Sequence, residues 1–324
     1  MRSRAGLALL ALAVFCAALA PLLRWYAYPR LARIPPGQYQ AVVLEARGAT
    51  LLDYAGGMQP RKVDKVTIVQ TLKGDVEAAR RASAETGRDV VVWDTLTHIA
   101  GPDGRMVSQI PERYVFDAHT QEPVHAAGES VDGDPVRREG IEFKWPFGAQ
   151  PRDHLYFDAQ TRTSSPAHYL GPRTFRGMDV HYYEQTVPWT KVPLPKKMPI
   201  EGIDPATFEQ TTGTSLWYRA KAMFWVDPVT GAPVNAEQVI EQEMRGGIAA
   251  GAPEGRLTVF AGHVRMREDY SRHTVALVAA NRLKVLALRA YAPAGLAAAG
   301  LLLLGAALWR EARGREARAR RVTA

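Results

Sequence analysis

Two apolar stretches that contain no charged residue, one near each end of the chain, constrain this sequence more than any other feature. Residues 5–23 are 19 consecutive uncharged positions, and residues 290–309 are 20. At 1.5 Å per residue, a helix of either length spans roughly 28–30 Å, which matches the thickness of a bilayer core. Because backbone groups find no water partners in lipid, such a run is expected to be helical. The sequence therefore predicts a membrane-spanning helix at each end.

Aromatic residues flank both stretches at the positions where a helix would meet the membrane surface. Trp25, Tyr26 and Tyr28 follow the first stretch, and Tyr291 and Trp309 lie at the two ends of the second. Tryptophan and tyrosine favour this interface because each ring combines an apolar body with a polar tip. The flanking residues therefore support the two predicted spans.

The first stretch has an alternative interpretation as a cleaved signal peptide. Arg2 and Arg4 precede it, and residues 18–20 (ALA) are small enough for a cleavage site. Pro21 would follow that site directly, which is unfavourable for a peptidase that needs an extended substrate. We therefore expect an uncleaved anchor, and cleavage stays open as the alternative. Cys16, the single cysteine, is then an apolar residue facing lipid or a neighbouring helix.

The charge distribution predicts the orientation of the two spans. The net charge is +8, but residues 310–324 hold six Arg against two Glu, and the first four residues hold two Arg. Only +2 therefore remains on residues 24–289, which argues against a nucleic-acid partner. Basic segments stay in the cytoplasm, so we expect residues 1–4 and 310–324 there and the large middle region outside it. Three arginines lie on the outer side of the first span: Arg24, Arg30 and Arg33.

The middle region carries strand and turn signals. Residues 63–72 (VDKVTIVQTL) alternate between apolar and polar side chains, which predicts a strand. Residues 89–99 and 106–110 flank the turn sequence GPDG at 101–104, which predicts a hairpin. Two helices are expected as well: residues 75–86 are alanine-rich, with an exposed loop as the alternative, and residues 271–288 have helical spacing that runs towards the second span.

A short motif recurs three times in the middle region. Residues 114–117 (YVFD), 155–158 (LYFD) and 224–227 (FWVD) each form an aromatic, β-branched run that ends on Asp, with a Thr three residues later. An Asp side chain accepts hydrogen bonds from backbone amides two or three residues on, so each unit predicts a strand closed by a turn. We therefore predict a membrane-anchored α+β protein. Its extracytoplasmic domain is expected to be mostly antiparallel β, a lipid-binding half-barrel or a sandwich, between two transmembrane helices.

Motifs for catalysis and for metal or cofactor binding are not found in the sequence. It contains no nucleophile elbow, phosphate loop, dinucleotide fingerprint or HExxH, and its eight histidines are scattered. Asp132 and Asp134 could suggest calcium, but the rest of a calcium loop is missing, so a Gly/Asp turn is the favoured interpretation. A single cysteine excludes a disulfide within the chain and any thiolate zinc site. We expect a protein that is not an enzyme and has no cofactor.

Residues 128–148 (GESVDGDPVRREGIEFKWPFG) are the most distinctive segment of the chain. Its large aromatic residues would be costly to leave in water. Either the segment fills the core of its own domain, which is the favoured interpretation, or it contacts a ligand or the membrane surface. Five aromatic residues are the candidates for lining a lipid-binding groove: Trp145, Phe147, Tyr156, Trp217 and Trp225.

Several motifs resemble those of the actinobacterial PorA family of membrane proteins. They are residues 21–26 (PLLRWY), 28–31 (YPRL), 131–137 (VDGDPVR), 145–148 (WPFG) and 183–188 (YEQTVP). Together with the two-span layout, the resemblance covers nearly the whole chain. It implies a cell-envelope protein whose main domain lies outside the cytoplasmic membrane. It also implies a link to lipid binding and lipoglycan maturation, as for some relatives, and it carries over no catalytic residue.

The sequence leads to one favoured function and two alternatives. We expect an inner-membrane protein of the cell envelope whose extracytoplasmic domain (24–289) binds membrane lipid or glycolipid and supports envelope lipid or lipoglycan assembly or transport. The first alternative is a scaffold that recruits envelope-biosynthesis enzymes. The second is a porin or channel component. A hydrolase or glycosyltransferase acting on envelope glycans is the least favoured class, because no motif supports it.

Overall fold

The chain forms two compact units in a computed structural model that describes residues 4–54, 57–126, 128–197 and 204–322. Residues 34–279 form one unit, which we call the β domain. The residues up to 33 and those from 280 onward form the other, which we call the helix pair. Each unit has its own packing and is described separately.

The described residues form six α-helices and twelve strands. The helices are α1 (Arg4–Pro21), α2 (Tyr28–Leu31), α3 (Val76–Thr86), α4 (Pro205–Thr212), α5 (Glu268–Leu286) and α6 (Ala292–Val322), with π-helical turns at Leu22–Ala27 and Ala287–Tyr291 and 3-10 turns at Gly247–Gly251 and Pro253–Gly255. The strands are β1 (Tyr39–Asp53), β2 (Gln59–Gly74), β3 (Val90–Ala100), β4 (Met106–Asp117), β5 (Ser130–Val131), β6 (Asp134–Pro135), β7 (His154–Asp158), β8 (Thr163–Phe175), β9 (Met178–Val192), β10 (Ser215–Val226), β11 (Pro233–Arg245) and β12 (Arg256–Met266).

All twelve strands belong to one open antiparallel sheet, which confirms the predicted fold class. The strand order is β6-β5-β4-β3-β2-β1-β12-β11-β10-β9-β8-β7, so each half is a run of hairpins, and the pairing of β1 with β12 joins the halves. Short turns join several of these neighbouring strands, such as β1 to β2, β3 to β4 and β10 to β11, which explains the density of Gly, Pro and Asp in this region. The described strands form one sheet and not the two packed sheets of a sandwich.

The three repeated motifs close turns as the sequence predicts. Asp117 accepts hydrogen bonds from the backbone N–H groups of His119 and Thr120, at 2.9 and 3.0 Å. Asp158 and Asp227 each accept from the N–H of the Thr three residues later, at 2.8 Å. Each turn is then completed by a residue with positive φ: Gln121, Arg162 or Gly231. The same side-chain chemistry therefore builds one turn three times in a single sheet.

The predicted helices of the middle region also form. Asp75 accepts a hydrogen bond from the N–H of Ala78 at 3.0 Å and begins α3, and Gly87 ends it in the left-handed conformation. Helix α5 starts at Glu268 and continues through a π-helical turn into α6, so the helical spacing at 271–288 runs directly into the second apolar stretch. The exposed-loop alternative for residues 75–86 is therefore wrong.

Strand β10 shows how the core of the β domain is built. Its side chains alternate between a buried and a partly exposed face, as period-two geometry requires. The buried face consists of Leu216, Tyr218, Ala220, Ala222, Phe224 and Val226. This face contributes to two separate apolar clusters, one towards each end of the strand.

Candidate functional site

The segment at 128–148 lies inside the β domain, where the backbone holds it in place. The N–H of Trp145 donates to the carbonyl of Gly231 at 2.9 Å, and the N–H of Gly148 donates to that of Val229 at 3.0 Å. Gly231 belongs to the third repeated turn, and a Cβ on it would lie 2.1 Å from the Trp145 carbonyl oxygen. Only glycine tolerates that approach together with a φ of +71°. The repeated turn is thus the support on which the segment rests.

Trp145 is the centre of a buried aromatic cluster. Its ring is 0% exposed and lies 5.1 Å from the rings of Tyr183 and Phe224 and 5.5 Å from that of Tyr156, centroid to centroid. These separations are typical of packed aromatic pairs. Nearby, Phe143 packs against Trp93 at 6.2 Å, in a second cluster. The segment therefore fills its own domain, as the favoured interpretation had it.

The five candidate groove residues do not converge on one place. Trp145 and Tyr156 share the aromatic cluster, and Phe147 packs against a different one, with Lys144 Nζ 3.9 Å above its ring. Trp217 and Trp225 lie on the opposite face of β10 from Phe224. There Trp217 stacks on Arg245 at 4.6 Å, and Trp225 packs 4.9 Å from Tyr182. Their positions support core packing for Trp145 and Tyr156 and separate surroundings for the other three.

A buried arginine fixes the start of the same segment. Arg138 is 0% exposed, and its guanidinium donates to Glu142 at 2.7 Å and to Glu112, on β4, at 3.0 Å. A third carboxylate, Glu129, accepts from the backbone N–H of Arg138 at 2.9 Å. The ring of Phe157 covers the guanidinium at 4.7 Å. The network ties residues 129–142 to the sheet through charge-assisted hydrogen bonds.

The charge balance of this network favours a proton retained by one of its buried carboxylates. One guanidinium faces three carboxylates, and an unpaired carboxylate is costly in a buried setting. Burial raises the pKa of Glu142 well above its usual range, and the nearby Glu112 raises it further. Burial also raises the pKa of Glu112, against the lowering effect of Arg138. These carboxylates are buried and share one arginine, so they form a structural network and not the polar cleft that acid–base catalysis needs.

Asp132 and Asp134 form a hairpin turn with cationic partners. Asp132 and Gly133 both have positive φ, which is the two-residue turn favoured between β5 and β6. Asp132 accepts from the backbone N–H of Lys196 at 2.7 Å, and Asp134 is paired with Lys196 and with Arg162. The turn interpretation is confirmed: a backbone N–H binds the Asp132 carboxylate, and an ammonium and a guanidinium group bind that of Asp134.

The helix pair is antiparallel and has a close crossing at Gly300. A Cβ on Gly300 would lie 3.3 Å from the carbonyl oxygen of Ala13 and 3.4 Å from the Cβ of Cys16. Cys16 is therefore buried against the neighbouring helix. Gly295 and Ala299 form a small-xxx-small pair in the sequence, but Gly295 does not lie at the crossing: a Cβ on it would have no neighbour within 4 Å. The reason is rotation: five residues turn an α-helix by about 140°.

A second contact joins the helices near the aromatic flanks. Pro293 has no N–H to donate to the carbonyl of Arg289, four residues earlier, and Arg24 Nη1 donates to that oxygen instead, at 2.5 Å. A π-helical turn lies in each helix at this level, directly after Pro21 and directly before Ala292. Arg24 therefore completes the hydrogen bonding that a proline leaves open in the other helix.

A groove of about 760 Å³ lies along one side of the pair. Its walls are mostly small apolar residues of α1 and α6, such as Ala17, Ala294 and Ala297, and Arg24 and Trp25 also line it. The surrounding helix surface is apolar and exposed: Leu301 is 72% exposed and Leu302 is 76%. Both helices are long and apolar enough to cross a membrane. An apolar surface of this extent is soluble only in lipid or under a partner.

Comparison with known proteins adds the decisive observation. The model of the family described as porin PorA matches residues 5–309. This chain belongs to the porin PorA family. Two relatives, both named porin PorA, come from Corynebacterium amycolatum and Corynebacterium resistens. The first is 26% identical over 224 residues, which cover 58% of this chain and 58% of the relative. The second is 30% identical over 136 residues, which cover 37% of this chain and 32% of the relative.

Membership of the PorA family confirms the resemblance seen in the sequence motifs, and with the two apolar helices it supports a membrane or cell-envelope location. The matched region includes both apolar stretches and the whole β domain. Sequence reasoning missed two features of this PorA-family chain: the Arg138 network and the groove. Arg138 and Glu142 stand four apart, but only the fold shows that they are buried. The groove depends on how two helices cross, which no spacing within one helix reveals.

Proposed function

We propose that this protein is a two-pass protein of the cytoplasmic membrane that binds a membrane lipid or glycolipid in the groove of its helix pair. In this proposal both termini are cytoplasmic, and the β domain lies outside, where it supports envelope lipid or lipoglycan assembly. It binds without catalysis. The observation that carries the proposal is the open apolar groove of about 760 Å³ between two apolar helices. Its size lies in the range of small-molecule sites.

The surroundings of the groove argue for a bound acyl chain. Apart from Arg24 and Trp25 at one end, its lining is apolar, so along the rest of the groove neither water nor a polar solute has partners. The gain from filling it is van der Waals packing, since lipid tails are as apolar as the groove walls and burial alone gives little preference. An acyl chain that stays bound after the bilayer is removed must therefore fit the groove closely.

Native mass spectrometry of the full-length protein in detergent tests the proposal. The wild type is expected to retain a lipid adduct, and Ala297→Phe, which places a ring in the groove, should lose it. Ala298→Phe is the matched control, because Ala298 is exposed, does not line the groove and lies about 100° further round the helix. An adduct that is missing from the wild type, or equal in both variants, contradicts lipid binding in the groove.

Cysteine labelling tests the topology separately. In a Cys16→Ser background, a cysteine at Arg105, in the exposed turn between β3 and β4, is expected to react with a membrane-impermeant maleimide on intact cells. A cysteine at Gly314, beyond the second apolar stretch, should react only after the membrane is opened. Labelling in the reverse order would place the β domain in the cytoplasm and end the orientation proposed here.

The filled interior of the β domain favours a second candidate function, that of a scaffold for envelope-biosynthesis enzymes. Trp145 occupies the core that a ligand would otherwise enter, so the domain offers its outer surface for recognition. Crosslinking on intact cells followed by identification of attached envelope enzymes, in a variant that binds no lipid, would support the scaffold. The relatives' name suggests a channel component, which planar-bilayer conductance of the purified protein measures directly.

A further inference from the structure

One end of the helix pair concentrates positive charge. Between residues 5 and 44 and between residues 270 and 310, the chain contains no Asp or Glu. Within these stretches, six basic residues lie close to one end of the apolar spans: Arg24, Arg30, Arg33, Arg282, Lys284 and Arg289.

The antiparallel packing brings the two groups of basic residues to the same end. Gly300 meets Ala13 and Cys16 near the middle of the pair, and Arg24 meets the Arg289 carbonyl further along. Residues after 24 in the first helix and before 289 in the second therefore both lead away from the apolar spans at the same end. The groove reaches this level, because Arg24, Trp25 and Ala290 are part of its lining.

This charge is unusual for the side of the membrane on which the proposed topology places it. Basic residues beside a span favour the cytoplasm, so six of them on the outer side work against the orientation that the tail sets. Anionic headgroups offset such a charge when they lie beside it. A second copy of this chain would not, since it would bring the same positive charge to the same groove.

We propose that the groove holds an anionic lipid, with its phosphate-bearing headgroup at Arg24 and an acyl chain along the groove towards Leu304. The inference rests on the proposed function and adds the headgroup class. In the described part of the chain, Arg24 makes a single hydrogen bond, from Nη1, which leaves the Nε and Nη2 edge for a ligand. Guanidinium groups bind phosphate oxygens through two parallel hydrogen bonds, which a zwitterionic headgroup compensates internally and an anionic one does not.

Lipid selection measured on the full-length protein tests this inference. The protein is reconstituted in equimolar phosphatidylglycerol and phosphatidylethanolamine vesicles, extracted in mild detergent, and its retained lipid is quantified by mass spectrometry. The wild type is expected to retain phosphatidylglycerol over phosphatidylethanolamine by about tenfold, the size of one charge-assisted hydrogen-bonded contact. The preference should fall as salt is raised.

Four variants separate the headgroup contact from the acyl-chain contact. Arg24→Gln should bring the retained ratio close to one while lipid stays bound, and Arg24→Lys, which keeps the charge, should retain part of the preference. Arg310→Gln removes an exposed arginine at the opposite end of the second span and should change nothing. Ala297→Phe should lose phosphatidylglycerol as well, because the chain has no place to lie.

Each remaining outcome overturns a defined statement. If the wild type retains the two lipids in the same equimolar ratio as the vesicles, the anionic preference is wrong, but lipid binding still holds. A wild type that retains no lipid removes both proposals. A lipid-free dimer assigns the groove to a second copy. Phosphatidylglycerol retained equally by Ala297→Phe shows a headgroup contact without the groove, and this also overturns the inference.

Discussion

The β domain and the helix pair solve the same packing problem in opposite ways. In the β domain, the chain folds a segment of itself into the sheet, so that Trp145 and Arg138 end up fully buried, with aromatic and charged partners. In the helix pair, two helices meet closely at Gly300 and leave a groove and an apolar surface uncovered. The β domain covers its apolar core with its own residues, whereas the helix pair leaves apolar surface that lipid or a partner has to cover.

The difference follows from what surrounds each unit. Water rewards burial of apolar groups, so a domain in water gains from filling every void with its own side chains. Lipid provides no hydrophobic driving force between helices, so an open groove costs a membrane protein little stability as long as an acyl chain fills it. Mutations of equal size should therefore have unequal effects in the two units.

The largest effect is expected from Trp145→Ala. Removing a ring that is fully buried among Tyr156, Tyr183 and Phe224 leaves a cavity that rigid neighbours cannot close, at about 3–5 kcal/mol of unfolding free energy. Denaturant unfolding of the detergent-solubilised protein, followed by tryptophan fluorescence, measures it. Trp225→Ala, at a half-buried site, is the control and should cost less. Equal losses would mean that the segment is not the filling of the core.

A similar loss, also about 3–5 kcal/mol, is expected from Arg138→Met. The substitution keeps much of the side-chain length but leaves buried carboxylates without their cation. Arg47→Met, at an exposed arginine of β1, provides the comparison and should lie within about 0.5 kcal/mol of the wild type. Full stability of Arg138→Met would show that the network contributes nothing to holding residues 129–142.

A smaller effect, at most about 1.4 kcal/mol per pH unit, is expected in the pH dependence of stability. Burial raises the pKa of Glu142 above that of an unfolded glutamate, about 4.3, so the folded state retains a proton that the unfolded chain releases. The stability that protonated Glu142 contributes is fully present below the pKa of Glu142 in the unfolded chain. It is lost as the pH rises through the pKa of Glu142 in the folded state. Glu142→Gln mimics the protonated acid and should flatten the alkaline decline of Tm.

Thermal unfolding from pH 5 to pH 9 distinguishes this effect from a general charge effect. Glu139→Gln removes a neighbouring carboxylate that is exposed, and its pH profile should follow the wild type. If Glu139→Gln and Glu142→Gln change the profile alike, the retained proton does not belong to the buried network.

The smallest effect is expected at the exposed apolar surface of the helix pair. Leu302 is 76% exposed, and its truncation in Leu302→Ala exchanges one apolar contact with lipid for another. The unfolding free energy should stay within about 0.5 kcal/mol of the wild type. A loss comparable to that of Trp145→Ala would mean that Leu302 packs against protein, and the contrast between the two units would then fail at this surface.

Much of the fold could be predicted because its signals are local. The Asp at the end of each repeated motif accepts hydrogen bonds from backbone amides two or three residues away. The turns can therefore be predicted from the motifs alone, at residues 114–117, 155–158 and 224–227. The cap of α3 at Asp75 and the hairpin around residues 101–104 are local in the same sense. Hydropathy over 20 residues likewise marks an apolar helix long enough to cross a membrane, since it is a property of that stretch by itself.

The candidate site could be predicted only in part, since it depends on contacts between distant residues. Trp217 and Trp225 lie on one face of β10, and Phe224 lies on the other. The sequence shows that the side chains alternate between two faces, but it does not show which face meets Trp145. Glu112 and Arg138 are 26 positions apart, and they meet because β4 runs beside the segment at 128–148.

What the sequence determined by itself is therefore the set of elements: two apolar helices, the repeated strand–turn units and the basic tail. Only the tertiary structure decided which aromatic residues fill the core, that Gly300 and not Gly295 marks the helix crossing, and that Arg24 meets Arg289 beside a groove. The physical reason is range. Propensity, capping and hydropathy act over a few neighbours, whereas burial and charge pairing are fixed by which distant surfaces come together.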